Sequence, residues 1–398
     1  HVAWIINSTK GYAIKVVNPG GLEAWGFGHN IKGLDDQVPH FCITPREIIR
    51  GLCKVNKLLN LPHTIHVHTN NLGKPGNYST ALETMKSVED LAVGSKPSIH
   101  MTHCQFSAYK GDDWSTLQSG AEEIASYVNN HSHVTMDMGQ IIFTDTTTMT
   151  ADGPFQYDLY GITGNKWVNH DVETETSAGI VPFRYRRKNY VHAVQWTIGL
   201  ELALLIQDPW KILLTTDHPN AGPFTAYPRI IAWLMSRKAR EATMKRINSR
   251  AKSRSLLPSI DRELGFQEIA VMTRAGQARA LGLNNKGHLA PGADADIAVY
   301  DLNPEKIDPS KEYKRVRRAF RRAAYTIKGG EIVAKAGEIL KHSYGTTMWI
   351  NLQTSEPLEI TSDMKKRFRD YWTVEYDNYP MTEEHLRAPN PITVKASV

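Results

Sequence analysis

Residues 212–219 read ILLTTDHP. A short apolar run closed by a carboxylate has the form of a buried strand that ends at a polar site. A carboxylate taken out of water there needs a partner, and a metal ion or its bound water provides one. Asp217 is therefore the residue from which the rest of the chain is read.

Working outward, four more β-branched runs precede it, at residues 12–17, 64–68, 98–103 and 133–138. They alternate with longer helical patterns, the rhythm of parallel strands joined by helical crossovers. Residues 44–61 show how plainly one crossover is written. Thr44 caps a helix, Pro45 occupies its first turn and Glu47 completes a capping box. Ile48, Leu52, Val55 and Leu59 form its apolar stripe. Residues 2–7 read as a further helix, and 229–254 as a basic helical region in which the run from Arg237 to Arg254 forms a solvated face, with partner docking as the second reading.

Three strand candidates besides 212–217 carry a side chain suited to a divalent metal centre: Lys15, His68 and His103. In a barrel of parallel strands all carboxyl ends meet on one face, so distance in sequence is no obstacle to a shared site. Imidazole and carboxylate are ligands of catalytic zinc. An ammonium group is not, but a lysine carboxylated by carbon dioxide presents a carbamate that bridges two cations. Lys15 is preferred over Lys10 for that role, because it sits inside a strand while Lys10 precedes the turn residue Gly11. His63 and His66 are neighbours of the site. His131 and His133 lie at the wrong end of their strand for catalysis and read as surface residues. Asn70 and Asn71, and His218 beside Asp217, are candidate substrate contacts, with turn formation the alternative for the asparagines.

The order lysine, histidine, histidine, aspartate resembles the ends of strands four, five, six and eight of the amidohydrolase superfamily. Asp217-His218-Pro219 is similar to the last-strand signature of dihydroorotases and hydantoinases. Gly287-His288-Leu289, Gly292 and Ala295-Asp296-Ile297 resemble the family's β-sandwich signature. Within the superfamily, TKGYAIKVVNPGG (9–21), HVHTNNLGKPGNY (66–78), TMTADGPFQYDL (148–159) and TTDHPNAGPFTAYPRIIAWLMS (215–236) resemble the A-subunit family of formylmethanofuran dehydrogenases.

The resemblance implies an α/β fold, a (β/α)8 TIM barrel with a flanking β-sandwich, entered from about the fourth strand. The expected organisation is a barrel over 1–283 with a long insert near 139–211, a β-rich composite domain over 284–345 and a C-terminal arm over 346–398. A hairpin over 323–335 turns at Gly329-Gly330. The resemblance further implies two divalent metal ions, expected to be zinc, held by carboxylated Lys15, His68, His103 and Asp217, with the remaining ligands from an N-terminal His-x-His that no residue upstream of Lys15 supplies. The implied reaction joins formate to methanofuran as formylmethanofuran, or reverses it, during the carbon dioxide reduction of methanogenesis. Asp217 is the proton carrier. The implied partners are a tungsten- or molybdenum-pterin subunit resembling formate dehydrogenase, and iron-sulfur subunits. A stand-alone cyclic-amide or N-acyl amidohydrolase, and a catalytically reduced scaffold subunit of a formyltransferase/hydrolase complex, remain as alternatives.

Composition fits these expectations. The 398 residues are 41% apolar, enough for a large core. An excess of 47 Lys and Arg over 41 Asp and Glu gives only +6, spread along the chain, which argues against nucleic acid as a partner and suits an acidic small molecule. Three unclustered cysteines, Cys42, Cys53 and Cys104, argue against a disulfide framework and an iron-sulfur centre in this chain. They favour a reducing compartment, and no run is long enough to span a bilayer, so a cytoplasmic location is expected.

Overall fold

A computed structural model describes residues 1–92, 94, 96–167 and 178–397. Its centre is one sheet of five strands: β1 (Lys15–Val17), β2 (Ile65–His68), β3 (Ile99–Met101), β4 (Val134–Asp137) and β5 (Ile212–Leu213). They lie side by side in chain order and every neighbouring pair is parallel. Each strand coincides with a run expected from the sequence but is shorter. Pairing stops where the chain turns outward, and Asn18, His103, Gly139 and Asp217, all just beyond strand ends, have positive φ.

The register sorts the side chains by chemistry. His66 pairs with Lys15 and with His100, and His100 pairs with Thr135. Because strand side chains alternate, Lys15, His66, His68, His100, Thr135 and Asp137 share one face. Val16, Ile65, Val67, Ile99, Met101, Val134 and Met136 occupy the other. The apolar face joins the main core with helices such as Tyr190–Leu205, which is buried almost continuously from Ala193 to Leu204. A helix apolar on every side belongs in an interior. The polar face is the unusual one, since strands of parallel sheets are commonly apolar on both sides.

Helix Pro45–Leu58 carries the expected capping box, with the Glu47 amide donating to Thr44 Oγ1 at 3.3 Å and the Thr44 amide to Glu47 Oε2 at 2.8 Å. Leu59 of the expected stripe is buried, but before it the buried row is displaced by one residue. Ile49, Cys53 and Asn56 are buried, while Ile48, Leu52 and Val55 flank them half-buried. A reading by apolarity passes over Asn56, which faces inward because its amide donates to the His63 carbonyl at 2.9 Å.

The segment 139–211 has structure of its own: an antiparallel hairpin (Asp145–Thr150 with Gly179–Arg184), helix Gly153–Thr163 and the buried helix Tyr190–Leu205. Part of it, residues 168–177, lies outside the described residues. Beyond Leu283 the expected β-rich region is one four-stranded antiparallel sheet of Ile297–Val299, Tyr325–Lys328, Glu331–Lys335 and Glu338–Ile339, turning at Gly329 and Gly330 where φ is positive. A second facing layer is not present among the described residues.

Residues 346–398, expected as a C-terminal arm, contain a pair of strands. Thr347–Gln353 and Pro389–Lys395 pair in parallel, and the first of them docks on the N-terminal helix Val2–Ser8. Asn7 locks the contact through both ends of its amide, donating to the Leu352 carbonyl at 3.0 Å and accepting from the Leu352 amide at 2.9 Å. Trp4 packs edge-on against Tyr376. Polar and apolar contacts of this kind, spread over distant residues, have no periodic signature.

One buried cation fastens the helices that follow β5. Arg240 is fully buried and donates to the carbonyls of Trp233, Ile260 and Arg262 at 2.9, 3.0 and 3.0 Å. An Arg240→Met substitution strips three buried acceptors of their donor, and each unmet group costs about 1–3 kcal/mol. A loss on the order of 3 kcal/mol in urea-induced unfolding is expected, whereas an unchanged midpoint would contradict this role.

Candidate metal centre

The polar face opens at the carboxyl ends of the strands into a cavity of about 190 Å³. Lys15 of β1, His68 of β2, His103 after β3 and Asp217 after β5 all line it, with Phe106, Phe155 and Tyr185 among the surrounding rings. The His68 and His103 rings meet edge to face at 4.7 Å. Four side chains spread over two hundred residues thus reach one space because their strands run parallel and end together.

Each is held differently. Asp217 accepts from the Asn220 amide at 2.9 Å, and Asn220 in turn accepts from the Met149 amide at 2.6 Å, tying the carboxylate to the hairpin of the insert. His103 is buried, its Nε2 lies 3.1 Å from Thr102 Oγ1, and its Nδ1 has no hydrogen-bond partner. Its backbone turns with φ of +36°, against Gly139. A methyl group on Gly139 would stand 2.6 Å from His103 Cβ, so only glycine allows this approach. His68 is almost wholly buried, with its Nε2 2.9 Å from a carboxylate oxygen of Asp152. Lys15 is exposed at the sheet edge and has no ion pair among the described residues. Lys10, the rival lysine, instead lies over the Trp349 ring at 4.2 Å and 3.9 Å from Glu383, away from this cavity.

The other expected contacts lie elsewhere. Asn70 is buried and donates to Asn18 and to the Pro19 carbonyl, both at 2.8 Å, while Asn71 turns the chain with positive φ. His218 is exposed and packs its ring against Phe224. None of the three lines the cavity. His66 is a deeper neighbour, its ring 4.6 Å from that of His100. His133, expected at the surface, is buried and lies 3.0 Å from the Met85 carbonyl, at the strand end opposite the cavity. Asp152 and Tyr185 are not singled out by the sequence. The Asp-Gly-Pro at 152–154 does signal a helix start, and Asp152 is indeed the N-cap of Gly153–Thr163, but no local pattern says that its other oxygen meets His68.

The donor chemistry fits a divalent cation. Imidazole must be neutral to bind metal, and burial holds His103 down at about 4. The unpartnered His103 Nδ1 and the free Lys15 amine are groups that a bound ion, with a carbamate on the lysine, would satisfy. Among the described residues, however, no three His, Cys, Asp or Glu side chains are grouped as a metal site by themselves.

Two outcomes follow from this geometry. Gly139→Ala forces His103 out of its place while altering nothing at the surface, so zinc uptake should fall at least about tenfold by competitive titration, the range expected when a ligand is misoriented; full uptake would contradict the packing argument. Burial also lowers His66 to about 3, and His103 and His192 to about 4, from an ordinary value near 6.5. Below pH 6.5 the unfolded chain takes up protons that the folded chain refuses, so stability of the metal-free protein is full above that pH and drains away as pH falls toward 4. Urea midpoints between pH 7.5 and 4 should show that decline, less steeply in His192→Gln, and a flat profile would be inconsistent with it.

Comparison with known proteins places the chain. The amidohydrolase family model matches residues 1–334. Protein FwdA of Methanocaldococcus jannaschii is 51% identical over 407 aligned residues, covering 100% of this chain and 70% of the relative. One subunit of the formyltransferase/hydrolase complex Fhc of Methylorubrum extorquens is 36% identical over 369 residues, covering 91% of this chain and 63% of that relative. The crystal structure of the FhcABCD complex from the same bacterium, in complex with methylofuran, superposes with a TM-score of 0.85 at 31% identity, covering 98% of this chain and 70% of its counterpart. The present chain therefore spans about two thirds of the length of these relatives. With a cavity lined by lysine, two histidines and aspartate at the ends of parallel strands, and with these likenesses, the chain belongs to the amidohydrolase family, in the group that includes FwdA and its Fhc counterpart.

Proposed function

We propose that the chain is the metal-dependent amidohydrolase subunit that joins formate to the primary amine of methanofuran, and cleaves the same formamide, within a formylmethanofuran dehydrogenase complex. The observation that carries this reading is the shared cavity of Lys15, His68, His103 and Asp217. The likeness to FwdA and to a complex that binds methylofuran supports the substrate class. The five parallel strands are then part of a (β/α)8 barrel, and the four-stranded sheet part of its flanking sandwich.

Two bound divalent ions, expected to be zinc, would supply an acidified water and polarise the formyl carbonyl. Lys15 as a carbamate, His68, His103 and Asp217 would hold them. In this reading Asp217 takes the proton of the attacking water and delivers it to the amine nitrogen as the C–N bond breaks; condensation runs the same steps backward, with formate and the amine giving the formamide and water. Asn220 aims the carboxylate by holding one of its oxygens. Burial and the neighbouring Tyr109 and Asp217 raise Tyr185 well above the usual phenol range, so it remains a hydrogen-bond donor in the lining of the cavity. Phe106, Phe155 and Leu72 give the cavity an apolar wall that limits bulk water. Formate would be supplied by a tungsten- or molybdenum-pterin partner with iron-sulfur subunits, in the cytoplasm.

One observation favours a second reading, a scaffold of reduced activity: the described His, Cys, Asp and Glu residues form no group of three suited to a metal. Metal analysis and turnover separate the two. In the full-length, zinc-loaded protein, formylmethanofuran hydrolysis should be measurable, and Asp217→Asn should reduce it by about 10²–10⁴-fold, the usual scale of general acid–base catalysis. A zinc-free protein, or a variant that turns over like the wild type, would point to the scaffold.

A further inference from the structure

The insert reaches the cavity with more than a cover. Asp152, at the N-cap of helix Gly153–Thr163, is only 2% exposed. Its Oδ1 accepts from the Phe155 amide at 3.2 Å and from the Asn18 side-chain amide at 3.3 Å. Its Oδ2 lies 2.9 Å from His68 Nε2. A carboxylate only accepts, so His68 Nε2 carries the proton and Nδ1 is left with its lone pair. No partner occupies Nδ1 among the described residues, and the ring lines the cavity.

Resting on the reading of the cavity as a metal centre, we propose that Asp152 is a positioning residue: it fixes the tautomer and orientation of His68 so that Nδ1 faces the metal. A carboxylate behind a metal-bound imidazole commonly has this effect. The same side chain does two further things. It caps its own helix, and through Asn18, whose amide oxygen accepts from Asn70 at 2.8 Å, it joins the end of β1, the end of β2 and the insert in one buried network. Correct folding of the insert and correct presentation of a strand-borne ligand thereby become one event.

Two substitutions separate positioning from capping. Asparagine is as good an N-cap as aspartate, and alanine is a poor one. In Asp152→Asn the amide oxygen stays with Phe155 and Asn18, which turns the NH2 group toward His68 Nε2. The ring must then accept there and carry its proton on Nδ1, where it blocks the metal. Zinc affinity of the full-length protein, by competition with a chelator, should fall about 10–100-fold in Asp152→Asn with an unchanged melting temperature of the metal-free form. Nitrogen-15 spectra of the metal-free form should show the His68 proton moved from Nε2 to Nδ1. Asp152→Ala should melt lower yet bind zinc better than Asp152→Asn, because its His68 is free to adopt either tautomer. Wild-type zinc affinity and an unmoved proton in Asp152→Asn would overturn the proposal and leave Asp152 as a helix cap. Should the wild type itself take up no zinc, the metal-centre reading fails, and the nitrogen-15 measurement alone decides whether Asp152 sets the His68 tautomer.

Discussion

The structure depends on a single constraint: five parallel strands end on the same side, and one face of their sheet is polar. Parallel direction makes residues as distant as Lys15 and Asp217 neighbours in space. The alternation Ile-His-Val-His in β2, Ile-His-Met in β3 and Val-Thr-Met-Asp in β4 directs imidazoles, hydroxyls and a carboxylate to one side, and aliphatic side chains to the other. Burying polar groups in such number is costly unless they are paired. Most are: His100 lies 2.9 Å from Thr135 Oγ1 and 3.3 Å from Asp137 Oδ2. Near the strand ends the pairing runs out, and His103 Nδ1 is left facing inward.

The backbone supports that arrangement at some expense. His103 and Asp217 are not glycine, yet both have positive φ. Such conformations persist only where surrounding structure over-determines them, and they gather at functional sites. Gly139 gives His103 its room, and Asn220 holds Asp217 from the far side. The division of labour is clear. Strands and the turns just beyond them supply Lys15, His68, His103 and Asp217, while the insert supplies the lining residues Thr148–Ala151, Phe155 and Tyr185, and the carboxylate behind His68.

Much of this is legible in the sequence, for definable reasons. The strands, the capping box of helix Pro45–Leu58 and the Gly329-Gly330 hairpin follow from short-range patterns, and each is present. Lys15, His68, His103 and Asp217 stand out because each closes or occupies a strand, and strand ends of a parallel sheet converge. The misses share one cause. Asp152, Asn56 and the docking of residues 346–398 on the N-terminal helix rest on partners far away in the chain or on buried polar groups, which periodicity does not register. Asn70, Asn71 and His218 stand close in sequence to the cavity-lining His68 and Asp217, but the sharp turns at the strand ends carry them away from the cavity.

We propose that one pair of ions binds where Lys15, His68, His103 and Asp217 meet. The most direct measurement is an anomalous difference map at the zinc edge, from crystals of the full-length protein grown with zinc and bicarbonate. Peaks are expected in the cavity within about 2.0–2.2 Å of His68 Nδ1, a ring nitrogen of His103 and an Asp217 oxygen, together with added density on Lys15 Nζ. A cavity without a peak, or zinc bound only at surface residues while Lys15 carries a bare amine, would contradict it.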